Sequence, residues 1–337
     1  MAERAPASPA FADVVCDAAV PHDAKTLRIG ERALPRPARE PQTIVVLGDT
    51  GCRISVVTAQ ACDDPAAWPF RAIAKSIAGV HPDLIVHVGD YLYREHGCPP
   101  LAHCAGSPHG DDAPAWNADW FAPAAPMLAS APVILMRGNH EICARNGTGW
   151  FRYLDPHASA ACSEATEPYV VDLGGLRIVG FDSAAAEDRK TDPARQPVFR
   201  RQFAEARAFV KEQTWFVTHR PPYLNDDERT AMGDALEPFS AVLAGHLHLF
   251  AAMNVQTEPP LLINGEGGTK LDPNYAPLLG LGIGDLHTDG PVFGSASFGF
   301  GVYTRDGTGW KISLRGPDGV EHARCTLAER AVHCAAP

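Results

Sequence analysis

Five short apolar runs in this chain each stop at a side chain able to bind a metal. TIVVLG is followed by Asp49, LIVHVG by Asp90, VILMRG by Asn139 and His140, WFVT by His219, and AVLAG by His246 and His248. Carboxylate and amide oxygens suit hard cations, and imidazole suits borderline ones. A lone Gly-Asp after a strand is ordinarily a turn, because Asp bonds its own backbone there. Asn139 in Gly-Asn-His can likewise be a left-handed turn residue. Chance placement of all five groups at strand ends is improbable, and in open α/β sheets ligands bind outside the carboxyl ends of the strands. The spacing therefore predicts one metal-dependent site.

The series Gly48-Asp49, Gly89-Asp90, Gly138-Asn139-His140-Glu141, His219 and Gly245-His246-Leu247-His248 resembles the calcineurin-type metallophosphoesterases over roughly residues 43–270. Asn264-Gly265-Glu266-Gly267-Gly268 is similar to a glycine-rich loop that this family carries after its last histidine block. The resemblance implies an α/β fold of two packed mixed β-sheets flanked by helices, with a two-metal centre between strand ends. Most of the superfamily has Gly-Asp-x-His in the first block, whereas this chain has Gly48-Asp49-Thr50-Gly51. Tyr93, three residues after Asp90, matches the purple acid phosphatase branch, where a tyrosinate takes the vacant place and favours Fe(III). The histidine pair that plant-type purple acid phosphatases place soon after the residue matching His219 is replaced by PPYLNDDERT, so those substrate contacts do not carry over.

By this resemblance Asp49, Tyr93 and His248 bind the first metal, Fe(III). Asn139, His219 and His246 bind the second, a divalent Zn, Mn or Fe, and Asp90 bridges both. The implied activity is hydrolysis of a small phosphate ester by a metal-bound hydroxide, as in an acid phosphatase. A phosphodiesterase or nucleotide hydrolase on the same fold is the alternative, and a non-catalytic extracellular metal-binding protein is the rival from another class. His140 is expected to protonate the leaving alkoxide or to bind phosphate. Glu141 either orients it or caps the following turn. Arg137, Arg220 and Arg229 are further candidates for phosphate contact.

The elements that must position these groups are legible in outline. Apolar runs rich in β-branched residues, LRIVGF and PLLING among them, read as buried strands. VFRRQFAEARAFVKEQ reads as a helix with Phe199, Phe203, Ala206 and Val210 on one face. Residues 1 to about 40 end in ALPRPAREP and read as a tether; residues 41–337 read as a single domain whose end, from about 295, is all β. The segment from His96 to Pro126 reads as a long surface insertion. His87 in LIVHVG reads as a hydrogen-bonded core residue, and Asp182 in GFDS as structural.

Composition excludes some classes of function. The 337 residues carry a net charge of −11, which repels phosphate backbones, so no nucleic-acid binding is expected. No apolar run reaches the 18 or so residues of a membrane helix. Nine cysteines is a high count for a reducing cytosol. Sequence proximity pairs Cys52 with Cys62, Cys98 with Cys104, Cys143 with Cys162 and Cys325 with Cys334, and leaves Cys16 over. A disulfide is preferred to a zinc knuckle at His96–Cys104, whose spacing fits no standard zinc module. The expected location is periplasmic or secreted, with a leader peptide already removed, since MAERAPASPA has no signal-peptide character.

Overall fold

Strands covered on both faces read as continuous apolar stretches, and the central strands here are of that kind. The computed structural model describes residues 2–335 apart from 22–23, 101, 103, 160 and 273–287. Two antiparallel ribbons come first, β1 (Ala2–Ala5) with β2 (Val15–Asp17) and β3 (Leu27–Ile29) with β4 (Arg32–Leu34). One sheet then begins with parallel β5 (Thr43–Leu47), β6 (Leu84–His87) and β7 (Val133–Leu135). A second takes β8 (Tyr169–Asp172), β9 (Arg177–Gly180), β10 (Thr214–Val217), β11 (Ala241–Ala244), β12 (Phe250–Met253), β13 (Leu261–Asn264) and β14 (Phe293–Ser295). The chain returns to the first sheet as the antiparallel run β15 (Phe300–Asp306), β16 (Gly309–Arg315), β17 (Glu321–Ala328) and β18 (Ala331–Ala335), joined through β15 to β5. Each sheet has seven strands and mixed pairing.

Alternation along the strands separates three apolar layers. Ile44, Val46 and Val86 face Ile178, Trp215, Val217 and Leu243 between the sheets, with Tyr303 and Trp310. Val45, Leu47 and Ile85 point outward onto α1 (Phe70–Val80), where Phe70, Ile73 and Ile77 are buried. Outside the second sheet, Val179, Phe216 and Val242 pack on Phe199, Phe203 and Ala206 of α5 (Gln196–Ala208). The expected apolar face is present, although Val210 lies past the helix end. Truncating Phe203 to alanine removes burial and leaves a cavity, a loss of roughly 3–5 kcal/mol.

The His96–Pro126 stretch differs from its reading as a surface insertion. Its second half folds as α2 (Ala113–Trp116), a π-wound turn over Asn117–Phe121 and α3 (Ala122–Leu128), with Trp116 and Trp120 buried. Pro114 and Pro123 occupy first-turn positions, where a missing N–H goes unnoticed, and Pro126 lies inside the short α3, so prolines masked the helix. Phe11 is buried in the outer layer of the first sheet, and Arg4 donates to the carbonyls of Phe151, at the end of α4 (Gly147–Tyr153), and Asp155. The four cysteine pairs are bonded as sequence proximity suggests, and Cys16 is free and exposed. Among the described residues no helix is long and apolar enough to cross a membrane.

Candidate metal centre

The parallel strands deliver their loops to one end of the sandwich. Asp49, Asp90 and His246 all take left-handed backbone angles, with φ of 55°, 61° and 71°. That conformation costs a non-glycine residue on the order of 1–3 kcal/mol and persists where surrounding contacts enforce it. Backbone bonds do so here: Asp49 N donates to Gly89 O at 2.9 Å and Thr50 N to Asp90 O at 3.1 Å. Gly138 is needed for a different reason, because a Cβ there would sit 2.0 Å from Asp90 Oδ1.

All seven residues expected as ligands converge. Tyr93 Oη lies 3.0 Å from Asp49 Oδ1, 2.7 Å from Asp90 Oδ2 and 2.9 Å from His248 Nε2. Asn139 Oδ1 lies 3.0 Å from His219 Nε2 and 2.7 Å from His246 Nδ1. Asp90 Oδ2 joins the two groups, reaching His219 Nε2 at 3.2 Å. The far nitrogens of the rings are engaged elsewhere: His219 Nδ1 by Val88 O at 2.8 Å, His248 Nδ1 by Lys270 O at 2.9 Å, and His246 Nε2 by Asp188 Oδ2 at 3.2 Å. Such partners fix the tautomer and aim the other nitrogen inward.

The donor set fits cations better than it fits itself. Tyr93 has one hydroxyl proton for three acceptor-capable neighbours. Asp49 and Asp90 are both fully enclosed, and burial together with the charge of Asp90 pushes Asp49 well above the usual carboxylate range. Burial opposes ionisation of Asp90 too, but His219 and His140 hold it well below that range. The Tyr93 phenol is pushed up by burial and then by both carboxylates. A positive charge among these oxygens would favour the ionised forms of Asp49 and Tyr93, the two groups that burial pushes up.

Around the centre, His140 and Glu141 have different partners. The His140 ring lies against that of Tyr93, with centroids 3.7 Å apart, and its Nδ1 is 3.2 Å from Glu95 Oε1. Arg145 Nη2 approaches the same nitrogen at 2.8 Å and also donates to Glu95 at 2.7 Å. Glu141 instead accepts from the amides of Tyr91 at 2.9 Å, Leu92 at 3.2 Å and Gly138 at 3.2 Å. Its carboxyl is pushed up to about 8 by burial and by Asp90. Sequence reasoning missed Glu95 and Arg145; the available signal was their place in the same loops, two residues past Tyr93 and five past His140.

Arg137 is buried and donates to Glu141 O, Ser163 O and Asp182, so it is a structural residue together with Asp182. Arg229 pairs with Asp226 at 2.9 Å. Arg220 stands beside His246 Nε2 at 3.1 Å while donating to Asp188. His87 meets Thr50 Oγ1 at 3.1 Å inside the core. His103 and His287 lie outside the described residues.

Residues 42–250 match the family described as calcineurin-like phosphoesterase. No curated protein matches the sequence significantly. Among solved structures the chain is similar to purple acid phosphatase PPD1 from yellow lupin (Lupinus luteus) seeds, with a TM-score of 0.55 and 16% identity over 87% of this chain and 55% of that one. It is similar to PhoD, at 0.58 and 10% over 90% and 73%. GAP50, the anchor in the inner membrane complex of Plasmodium, aligns at 0.51 and 12% over 88% and 89%. At these identities the likeness is one of fold, and the chain spans about half the length of the lupin phosphatase.

Proposed function

Because the chain belongs to the calcineurin-like phosphoesterase family, we propose that it hydrolyses a small phosphoric ester at a dinuclear metal centre of the purple acid phosphatase type. Asp49, Tyr93 and His248 would hold Fe(III), Asn139, His219 and His246 a divalent Zn, Mn or Fe, with Asp90 shared. The observation carrying this reading is the Tyr93 hydroxyl within 3.0 Å of Asp49, Asp90 and His248, three acceptor-capable groups around one oxygen. Paired cations at such a site activate water and offset the charge of the phosphoryl oxygens.

This chain's own residues supply the rest. His140, whose side chain keeps 12% of its surface exposed, can hand a proton to the leaving alkoxide, and Glu95 and Arg145 fix its ring. A cavity of about 330 Å³ adjoins His246 and is lined by Arg189, Asn225, Tyr223 and Arg229, room enough for a small leaving group. A phosphodiesterase or nucleotide hydrolase on the same fold is the second reading, and it gains if Tyr93 proves not to be a ligand. Four disulfides support an oxidising location, periplasmic or secreted.

Metal analysis with a visible spectrum, followed by mono- and diester substrates, tests the proposal. A tyrosinate on Fe(III) gives a charge-transfer band that Tyr93→Phe should abolish along with retention of the first metal, while Asp90→Ala should empty both sites. Colourless iron-replete protein would remove Tyr93 from the ligand set. Near-zero turnover of every ester by fully loaded protein would favour the non-catalytic reading.

A further inference from the structure

The loops carrying Asp49 and Asp90 run side by side, linked by Thr50 N to Asp90 O and, further out, by Ile54 N to Tyr93 O at 3.0 Å. Between these bonds the ladder has a gap, and the buried amides of Cys52, Tyr93 and Arg94 face into it. Buried donors need acceptors. A single carboxylate serves all three: Asp119 Oδ1 accepts from Cys52 N at 3.1 Å, and Oδ2 from Tyr93 N at 2.8 Å and Arg94 N at 3.2 Å. Arg94 Nε closes the pair by binding Oδ1 at 2.5 Å. Asp119 is wholly buried and sits on the π-wound turn, in the stretch whose sequence reads as a surface insertion.

We propose that Asp119 is the positioning residue of the first metal site, holding the Tyr93 backbone so that its phenol stands over Asp49 and Asp90. Gly51 supports the same conclusion independently. A Cβ at Gly51 would lie 2.6 Å from Tyr91 O, 2.8 Å from Tyr93 N and 2.9 Å from Asp119 Oδ2. The glycine in the first block therefore leaves room for the carboxylate to reach Tyr93, and a side chain there is incompatible with this clamp. A tyrosine at 93, a glycine at 51 and an aspartate at 119 form one unit drawn from two loops and a helical turn.

The inference rests on Tyr93 being a ligand, so the experiment reads the two separately. Asp119→Ala and the shape-conserving Asp119→Asn are compared with wild type for iron and second-metal content, visible band, loss of metal to a chelator, and amide hydrogen exchange. Asp119→Ala should lose or shift the band and release the first metal roughly 10- to 100-fold faster, the range seen when a group orienting a ligand is removed. The second metal should stay, and Asp119→Asn, with one carbonyl acceptor left, should fall between. Exchange at Cys52, Tyr93 and Arg94 should accelerate in both variants. A wild-type protein without a band defeats the tyrosinate reading alone; exchange and chelator rates still decide the clamp. Asp119→Ala or, should that variant not fold, Asp119→Asn with wild-type band, metal release and exchange would overturn it.

Discussion

The imidazole of His140 is held against Tyr93 by Glu95 and Arg145 without being part of the ring of mutually contacting ligand atoms. A group so placed can act on the substrate and leave the metals alone. His140→Ala should therefore keep both metals yet lose roughly a hundredfold or more in turnover of esters with poor leaving groups, and much less with activated aryl esters. Rates across a series of leaving-group pKa values check this; equal loss along the series would place His140 in phosphate binding instead. The residue types of Asp49, Asp90, Asn139, His219, His246 and His248 were legible because each follows an apolar run. Glu95 and Arg145 were not, since a charged residue in an irregular loop reads the same whether it is solvated or enclosed, and Asp119 was not because it sits on a helical turn that prolines masked.

At the scale of elements, the loop after β13 ties the strand ends together. Gly267 N donates to Gly48 O at 3.0 Å, Thr269 N to Asp49 O at 2.9 Å, and Gln60 Nε2 to Gly268 O at 2.8 Å. Glu266 in this loop is buried, with its Oε2 unpartnered among the described residues, and burial pushes its carboxyl up to about 8. The unfolded chain releases this proton near pH 4.5, whereas the folded chain keeps it to about 8. Between those values the unfolded state binds fewer protons, so stability falls as pH rises. Glu266→Gln should flatten that fall by one proton's worth of slope, measured by urea unfolding at several pH values. Buried Glu228, also raised to about 8, should keep a similar share of the slope. Unchanged pH dependence in Glu266→Gln would show that Glu266 ionises in the folded protein.

For the whole molecule, three short-range disulfides fasten loops outside the sheets, a fourth, Cys325–Cys334, joins the paired strands β17 and β18, and only Cys16 is free among the described cysteines. Thiol titration of denatured, unreduced protein should find about one free thiol, and several would overturn both the pairing and the oxidising location. Reduction before unfolding should lower stability, each closed loop contributing roughly 2–4 kcal/mol. Sequence alone determined the strands and the order of their terminal donors, because buried strands must be apolar and their ends must be polar to meet a ligand. Its cysteine spacing suggested a pairing of near neighbours, which close the shortest loops, and the structure bears that pairing out. Tertiary structure alone decided which loops touch. It placed Tyr93 between two carboxylates, turned Glu141 onto backbone amides, and drew Asp119 from a proline-masked helix into the gap between two strands' loops. Those contacts join segments far apart in the chain, and no local periodicity records them.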